Sequence, residues 1–380
     1  MQKLFASSRL CRTLGLKLPL FQAPMAGVST VQMAAAVIQN GGLGSIPLGG
    51  VDLRKGVGLL KSSVDQLIDL VGKENPVNFN FFCHDIVDSP SMSQTANWWS
   101  LYTKTIGDLD SFRDFVSFDN SNVSFKELEL NFPDQFNELM DYLETTRPKI
   151  TSFHFGHPSK ETIKRLQNLG ILVFITTTSI EETRHLIELK VDGLICQGYE
   201  AGGHRGNFLT FDPLDEHLST QALFIQTRDY IYKRKLDTYI VPTGGIMDSV
   251  TMKYYLDNGA DSIQLGSIFL GTPESTSAPF FSNALASKNH TPTIMTPLVS
   301  GKPARTVSTP FIQDLIECNC FDLQELPPYG CSYSAYKLLR PKIEGIDIGF
   351  YLAGQNYHSM ETSLSTAQIV QKLAKELQQL

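Results

Sequence analysis

Short runs of apolar, β-branched and aromatic residues recur along the chain, and most are bounded by glycine, proline or polar residues. Runs of this kind are typical of strands that are buried on both faces, as in a parallel sheet. We predict eight strands from them, namely Leu18–Ala23, Leu43–Pro47, Val77–Phe82, Ile150–Phe155, Leu172–Thr176, Gly193–Gln197, Tyr239–Thr243 and Ser262–Leu265.

Between most of these strands, apolar residues follow the spacing of an amphipathic helix. The helical segments are Val31–Gln39, Val64–Val71, Phe136–Leu143, Lys160–Leu169, Ile180–Leu189 and Ser249–Asn258. Strands that alternate with helices are parallel, and eight such units predict an α/β fold, a closed (β/α)8 TIM barrel. An open, doubly wound sheet is the alternative that the pattern leaves.

Two regions do not fit the repeat. Residues 83–149 are too long for a simple loop, contain Trp98 and Trp99, and are predicted to form a helical insertion after the third strand. The proline-rich residues 281–380 are predicted to form a C-terminal extension that folds over the barrel mouth and completes the substrate site. Residues 1–280 would then form the ligand-binding barrel.

Charge and cysteine content exclude several classes of partner and site. The net charge is −7 and the pI about 5.6, whereas nucleic acid or an anionic membrane would require a basic face. We therefore expect neither partner, and both a monomer and a homodimer are compatible with the sequence. The six cysteines include no C-x-x-C pair, so a reduced, intracellular protein is expected.

The chain shows no apolar run of about 20 residues and no secretory signal. The first 17 residues contain Lys3, Arg9, Arg12 and Lys17 and no acidic residue, a weak indication of a mitochondrial presequence. We favour the cytoplasm, because predicted structure begins almost immediately afterward.

A glycine pair follows the seventh predicted strand, in Thr243-Gly244-Gly245, and a single glycine follows the eighth, in Gln264-Leu265-Gly266-Ser267. In barrels, backbone N–H groups at these two positions commonly bind a phosphate, and glycine lets the backbone approach its oxygens. The sequence lacks a P-loop and a dinucleotide fingerprint, so flavin mononucleotide (FMN) fits better than a dinucleotide. Its ring would lie toward Ala23-Pro24-Met25, with Asn80 and Gln197 as hydrogen-bond partners.

The glycine-rich loop after the sixth strand, Gly198-Tyr199-Glu200-Ala201-Gly202-Gly203-His204-Arg205-Gly206, contains the histidine that is the candidate catalytic residue. Taken alone, such a histidine is more often a turn residue or a solvated side chain. A metal site formed by Glu200 and His204 is not expected, because the glycines between them would break the helix that ligands at this spacing require.

Several motifs resemble those of the nitronate monooxygenases, formerly called 2-nitropropane dioxygenases, and the resemblance covers most of the chain in the same order. The tail motifs favour the first of the two classes of that family. The motifs are Gln22-Ala23-Pro24-Met25-Ala26-Gly27, Asn78-Phe79-Asn80, Ser152-Phe153-His154-Phe155-Gly156, the loop from Gln197 to Gly206, Thr243-Gly244-Gly245-Ile246, Gln264-Leu265-Gly266-Ser267, Ser300-Gly301-Lys302-Pro303-Ala304-Arg305 and Ala353-Gly354-Gln355.

The resemblance implies an FMN-dependent enzyme that oxidises small alkyl nitronates, such as propionate 3-nitronate, with O₂ to an aldehyde and nitrite, in a detoxification role. It implies that His204 lies beside the flavin and acts as the base for neutral nitroalkanes. It also implies that the flavin contacts Met25, Asn80, Gln197, Gly202, Gly203, Gly244, Gly245, Gly266 and Ser267.

At the substrate end of the site, the sequence departs from the family pattern. Tyr351-Leu352 precedes Ala353 where the family commonly has tryptophan, which leaves the substrate size open. A substrate carboxylate would need a donor, for which Arg205, Arg305, Tyr351 and Tyr357 are candidates. Two alternatives remain: an FMN-dependent enoyl reductase that uses NAD(P)H, and a non-catalytic FMN-binding protein.

Overall fold

The computed structural model describes residues 8–73, 75–120, 124–210, 214–287 and 291–380. Eight parallel strands form one sheet in the order β1-β9-β8-β6-β5-β4-β3-β2, and a parallel bridge between Phe21 and Leu43 joins its two ends. The predicted TIM barrel is therefore confirmed. In chain order the strands are β1 (Leu20–Gln22), β2 (Gly44–Pro47), β3 (Val77–Phe82), β4 (Ile150–His154), β5 (Leu172–Thr177), β6 (Gly193–Gln197), β7 (Gly203–His204), β8 (Tyr239–Thr243) and β9 (Ile263–Leu265), of which β7 lies outside the barrel.

Helices alternate with the barrel strands, and several begin at side chains that satisfy free backbone N–H groups. Ser179, for example, accepts a hydrogen bond from the N–H of Glu182, as its predicted capping role requires. The helices are α1 (Arg9–Leu14), α2 (Val31–Gln39), α3 (Gly58–Val71), α4 (Met92–Ile106), α5 (Phe125–Asn131), α6 (Pro133–Thr146), α7 (Lys160–Asn168), α8 (Ile180–Glu188), α9 (Thr220–Arg234), α10 (Ser249–Asp257), α11 (Ala278–Ala286), α12 (Pro310–Cys318), α13 (Cys331–Leu339) and α14 (Thr366–Gln379).

The amino-terminal end of the barrel is closed by α1. Leu10 and Leu14 of this helix pack with barrel residues such as Phe174 and Val241 in one buried apolar cluster. Arg9 and Arg12, two of the basic residues that suggested the mitochondrial alternative, belong to this packed helix. Lys3 lies outside the described residues.

A second apolar core joins the insertion to the C-terminal extension. Trp98 and Tyr102 of α4 pack in it with Phe311 of α12 and Tyr336 of α13. The main core instead receives α5 and α6 from within residues 83–149, and α14 from the chain end. Both cores thus cross the predicted boundary at residue 280, and the division into a barrel and an extension stays a prediction.

A small antiparallel sheet brings the extension to the carboxyl end of the barrel. Its strands are β10 (Thr293–Thr296), β11 (Ala304–Val307) and β7, with β11 in the middle. Ala304 pairs with His204, and Arg305 pairs with Gly203. The loop after β6 is therefore held by residues that lie a hundred positions later in the chain. Among the described residues, none of the helices is both long and apolar enough to cross a membrane.

Candidate active site

A deep cavity opens at the carboxyl ends of the barrel strands. The residues that the sequence singled out come together around it, although their roles as ligands stay predictions. They are His204 and the thirteen candidate cofactor contacts Ala23, Pro24, Met25, Asn80, Gln197, Gly202, Gly203, Thr243, Gly244, Gly245, Gln264, Gly266 and Ser267. Further lining residues that the sequence analysis gave no role include Phe82, Thr176, Tyr333, Leu352 and Asn356.

Unpaired backbone donors lie at the exits of β8 and β9. The Thr243 hydroxyl donates to the carbonyl of Gln264 at 3.0 Å, so the two strand ends are adjacent. Within the described part of the chain, the N–H groups of Gly245, Gly266 and Ser267 have no hydrogen-bond acceptor. Several unpaired N–H groups at one place form a suitable site for an anion such as a phosphate.

The conformation of this cradle requires glycine. Gly245 has φ of +68°, and a Cβ on it would lie 3.2 Å from the Cβ of Glu200. Gly244 has φ of +121°, and a Cβ there would lie 2.7 Å from the hydroxyl of Thr220. Any other residue at either position would be strained and crowded, so the glycine pair is explained by geometry.

Thr220, the first residue of α9, joins the cradle to the loop after β6. Its hydroxyl lies 2.9 Å from the carbonyl of Gly244, and its N–H donates to the Glu200 carboxylate at 2.8 Å. The sequence analysis missed Thr220, because a threonine near a helix start is common and only the tertiary contact gives it a role.

The C-terminal extension covers the same cradle. The N–H of Gly354 donates to the Ser267 hydroxyl at 2.8 Å, and the Asn356 amide donates to the Gly245 carbonyl at 2.7 Å. The N–H of Gln355 donates to the Glu200 carbonyl at 3.0 Å. The Ala353-Gly354-Gln355 motif therefore closes the cavity beside the cradle formed by Gly245, Gly266 and Ser267.

Uncharged side-chain amides also line the cavity. The Asn80 amide nitrogen donates to the Ser152 hydroxyl at 2.9 Å, and this leaves its oxygen toward the cavity wall. The Gln264 amide has no hydrogen-bond partner among the described residues. Gln197, in contrast, donates to the His204 carbonyl and accepts from the Gly206 N–H, at 2.9 and 2.7 Å. Its predicted contact with a ligand ring would use the second amide N–H.

Buried charges hold the loop that carries His204. The Arg205 guanidinium donates to Asp215 at 2.6 and 2.9 Å and to the Gln197 carbonyl at 2.7 Å. The side chains of this ion pair are 2% and 4% exposed. Burial alone would raise the pKa of Asp215, but its hydrogen bonds to Arg205 lower the pKa on balance. Arg205 is therefore committed to the loop.

Glu182 is a second buried charge behind this loop. Its carboxylate accepts hydrogen bonds from the N–H groups of Thr178 and Phe208, both at 2.6 Å, and from the Thr178 hydroxyl at 2.8 Å. Burial raises its pKa although these bonds oppose the change. The loop after β6 is thus tied to β6, to α8 and to β11.

The His204 imidazole lies against an aromatic wall. Ring centroids of Phe155, Tyr329, Tyr333 and Phe350 lie between 5.4 and 6.3 Å from it. Its Nε2 lies 2.9 Å from the Ser300 hydroxyl. Burial is the largest cause that lowers the pKa of His204, and the nearby His154, Lys302 and His84 act in the same direction. Together they lower this pKa to about 3. His204 is therefore uncharged at neutral pH.

His154 supports His204 from below, and the sequence analysis gave it no role beyond its place in a motif. Its Nε2 lies 3.2 Å from the His204 carbonyl oxygen, and its Nδ1 lies 3.0 Å from the Thr176 hydroxyl. Since the carbonyl can only accept, Nε2 carries the proton. Burial lowers the pKa of His154 to about 4, so it too is neutral.

The four candidates for binding a substrate carboxylate do not line the cavity. Arg305 donates to the Tyr199 carbonyl at 2.8 Å, and Arg205 is paired with Asp215. The Tyr351 hydroxyl donates to Asp347, and that of Tyr357 donates to the Thr291 carbonyl, at 3.0 and 2.7 Å. Each candidate is therefore occupied within the protein. In the ranges that the structure covers, no three metal-ligating side chains form a cluster.

Comparison with known proteins assigns the family. The family model described as nitronate monooxygenase matches residues 7–376. A protein of Saccharomyces cerevisiae named "Putative nitronate monooxygenase" is 45% identical, with 96% of this chain and 92% of that protein covered. The nitronate monooxygenase of Pseudomonas aeruginosa is 32% identical, with 98% and 99% covered. The solved structure of nitroalkane oxidase from Streptomyces ansochromogenes superposes with a TM-score of 0.79 and is 27% identical, covering 97% of this chain and 98% of that one. The chain is therefore an oxidoreductase that belongs to the nitronate monooxygenase family.

Proposed function

We propose that this protein is an FMN-dependent nitronate monooxygenase that oxidises small alkyl nitronates with O₂ to an aldehyde and nitrite. The observation that carries the proposal is one cavity with an anion cradle at one side and an uncharged imidazole at the other. The cradle suits the phosphate of a flavin, and the imidazole suits a small substrate lying on the flavin ring.

The residues around the cavity fit FMN in particular. The unpaired N–H groups of Gly245, Gly266 and Ser267 would bind the phosphate. The free amide of Gln264 and the oxygen of Asn80 would pair with ring heteroatoms, and Ala23-Pro24-Met25 would lie along the ring edge. When bound, FMN supplies the electron acceptor for the substrate and the group that passes electrons to O₂.

His204 fits a substrate that arrives already deprotonated. A nitronate is an anion that needs no base, so a histidine with a lowered pKa does not hinder its oxidation. A neutral nitroalkane must first lose its α-proton to the imidazole, and a weak base makes this transfer less favourable. The nitronate formed beside the imidazolium would in turn stabilise that charge. We therefore propose that nitronates are better substrates than nitroalkanes.

We further propose a substrate that carries a carboxylate, such as propionate 3-nitronate, and a role in detoxification in the cytoplasm. Lys337 supports the carboxylate proposal. Its ammonium lies 4.8 Å from the ring centroid of Tyr333, which lines the cavity. Lys337→Met should raise KM for propionate 3-nitronate about tenfold and leave KM for ethyl nitronate unchanged. Lys342→Met is the matched control, because the Lys342 ammonium lies over the ring of Phe115, which does not line the cavity.

The test begins with the visible spectrum of the purified protein, which should be that of a flavoprotein whose extracted cofactor is FMN. Under anaerobic conditions, a nitronate should bleach the flavin and NADH should not. In air, the same nitronate should consume O₂ and release nitrite. Reduction by NADH without any response to nitronates would instead indicate a reductase. A yellow protein that responds to neither compound would indicate a non-catalytic flavin-binding protein.

A further inference from the structure

Ser300 is a fully buried residue in the loop before β11, and its hydroxyl contacts the candidate catalytic imidazole. The oxygen lies 2.9 Å from Nε2 of His204 and 3.0 Å from the carbonyl oxygen of Lys302. Both contacts have hydrogen-bond length.

The number of hydrogens available for these two contacts favours one tautomer of His204. A serine hydroxyl has one hydrogen, and the Lys302 carbonyl can only accept. If Ser300 donates to that carbonyl, its oxygen accepts from Nε2–H of His204 and both contacts are hydrogen bonds. If Ser300 donates to Nε2 instead, its contact with the carbonyl is lost. The first arrangement forms two bonds and is the more stable one.

The same arrangement leaves Nδ1 of His204 as the atom with a free lone pair. Nδ1 has no hydrogen-bond partner in the described part of the chain, and His204 lines the cavity. The backbone of His204 is fixed independently, since Gln197 and His154 both contact its carbonyl oxygen. The ring is therefore held at Nε2 while Nδ1 remains available to a substrate.

The loop that carries Ser300 is itself rigid. The N–H of Gly301 donates to the Pro297 carbonyl at 2.8 Å, and Gly301 has φ of +84°. A Cβ on Gly301 would lie 2.6 Å from the Tyr329 nitrogen, so the turn packs closely against the residues before α13. The Ser332 hydroxyl in α13 donates to the Val299 carbonyl at 3.3 Å. The Ser300 hydroxyl is therefore well placed to fix the ring.

We propose that Ser300 is a positioning residue that holds neutral His204 as the Nε2–H tautomer and so makes Nδ1 the atom that removes the α-proton of a nitroalkane. In that step the substrate C–H bond breaks, an N–H bond forms at Nδ1, and the electron pair stays on the substrate as the nitronate. Fixing the tautomer of a catalytic histidine through its second ring nitrogen is a general device in enzymes. The inference rests on the proposed function, because it requires His204 to act as the base.

The experiment compares wild type, Ser300→Ala and Ser332→Ala as flavin-loaded proteins labelled with ¹⁵N-histidine. Ser332→Ala is the matched control, because it removes a buried hydroxyl from the same region without touching His204. His204→Asn assigns the His204 signals. The ¹⁵N shifts at pH 7 should show a protonated Nε2 and an unprotonated Nδ1 in wild type and in Ser332→Ala. A hydrogen bond of ordinary strength corresponds to about a tenfold change in the tautomer ratio, so Ser300→Ala should give a mixture.

Kinetics provide the second measurement. Ser300→Ala should lower kcat/KM for a nitroalkane about tenfold, with full flavin content and a nitronate oxidation rate within about twofold of wild type. Threonine keeps the hydroxyl, so recovery of the Nε2–H tautomer and of nitroalkane turnover in Ser300→Thr would support the proposal. An unchanged His204 tautomer in Ser300→Ala, or an equal effect of Ser332→Ala, would overturn it. Since the spectra need no turnover, the expected tautomer change in a protein inactive on every nitronate would support the role of Ser300 and contradict the proposed function.

Discussion

Lowering the pH from 7 to 5 should destabilise the folded protein through His154 and His204. Burial lowers their pKa values to about 4 and about 3, whereas both lie near 6.5 in the unfolded chain. Between these values the unfolded state binds more protons, so stability is lost as the pH falls below 6.5. At pH 5 each lowered pKa reduces the free energy of unfolding by about 2 kcal/mol, so the two histidines together reduce it by about 4 kcal/mol. This is a large part of a typical stability of roughly 5–15 kcal/mol.

The variant His154→Gln isolates one of the two contributions. Glutamine keeps an N–H donor for the His204 carbonyl but does not titrate. The free energy of unfolding, measured with urea and far-UV circular dichroism at pH 7 and pH 5, should fall by about 2 kcal/mol less in the variant than in wild type. The informative quantity is the difference between wild type and variant. The buried Glu182 has a raised pKa, so its protonation stabilises the folded state as the pH falls, but it does so in both proteins.

His217→Gln is the matched control for replacing a histidine, because His217 is exposed, does not line the cavity, and its replacement leaves both buried histidines in place. Because the pKa of Asp215 is lowered, its contribution to stability is lost only below the ordinary pKa of an aspartate, which lies under this pH window. Identical losses in wild type and His154→Gln would refute the reasoning, because they would mean that His154 titrates alike in the folded and unfolded states.

Three further predictions concern the cradle, the imidazole and the buried ion pair. Gly245→Val should release the flavin, because the φ of +68° at this position strains a β-branched residue. The control Gly50→Val has open space around the added side chain and should retain the flavin. The measurement is the flavin absorbance per polypeptide chain. His204→Asn should keep the flavin and lower nitroalkane turnover about 100-fold or more, with a smaller loss on nitronates, and equal losses would contradict the base role. Arg205→Met should lower the free energy of unfolding by about 3–5 kcal/mol, because it leaves Asp215 buried without its partner. The control Arg54→Met breaks the solvent-accessible pair with Asp52 and should cost less than about 1 kcal/mol. Equal urea midpoints for the two variants would contradict this prediction.

The barrel was predictable because its strands are buried on both faces and stand out as apolar runs such as Leu172–Thr176. The helix α9 was not, because its buried face includes Thr220 and Thr227 beside Leu223 and Phe224, which weakens the apolar repeat. The cavity residues were predictable for a different reason: in parallel sheets, ligands bind at the carboxyl ends of strands, and these positions can be found once the strands are known.

The sheet of β7, β10 and β11 could not be predicted in the same way. Its strands have two to four residues, and β7 pairs with a strand about a hundred positions later. Short polar strands have no local signature, since tertiary contacts stabilise them. Asn356 was missed for the same reason, as its contact with Gly245 appears only after the extension has folded back.

The arrangement of charge explains why an uncharged histidine lies at the centre of the site. The ionisable groups behind the loop, Arg205, Asp215 and Glu182, are satisfied by partners within the protein, whereas no Asp, Glu, Lys or Arg is among the described residues that line the cavity. Anions can then be held by dipoles, and no carboxylate lines the described part of the cavity. The burial that fixes His204 also removes its charge, because a desolvated imidazolium is costly. We therefore expect such a site to favour a substrate that has already lost its proton over one from which the enzyme must remove it.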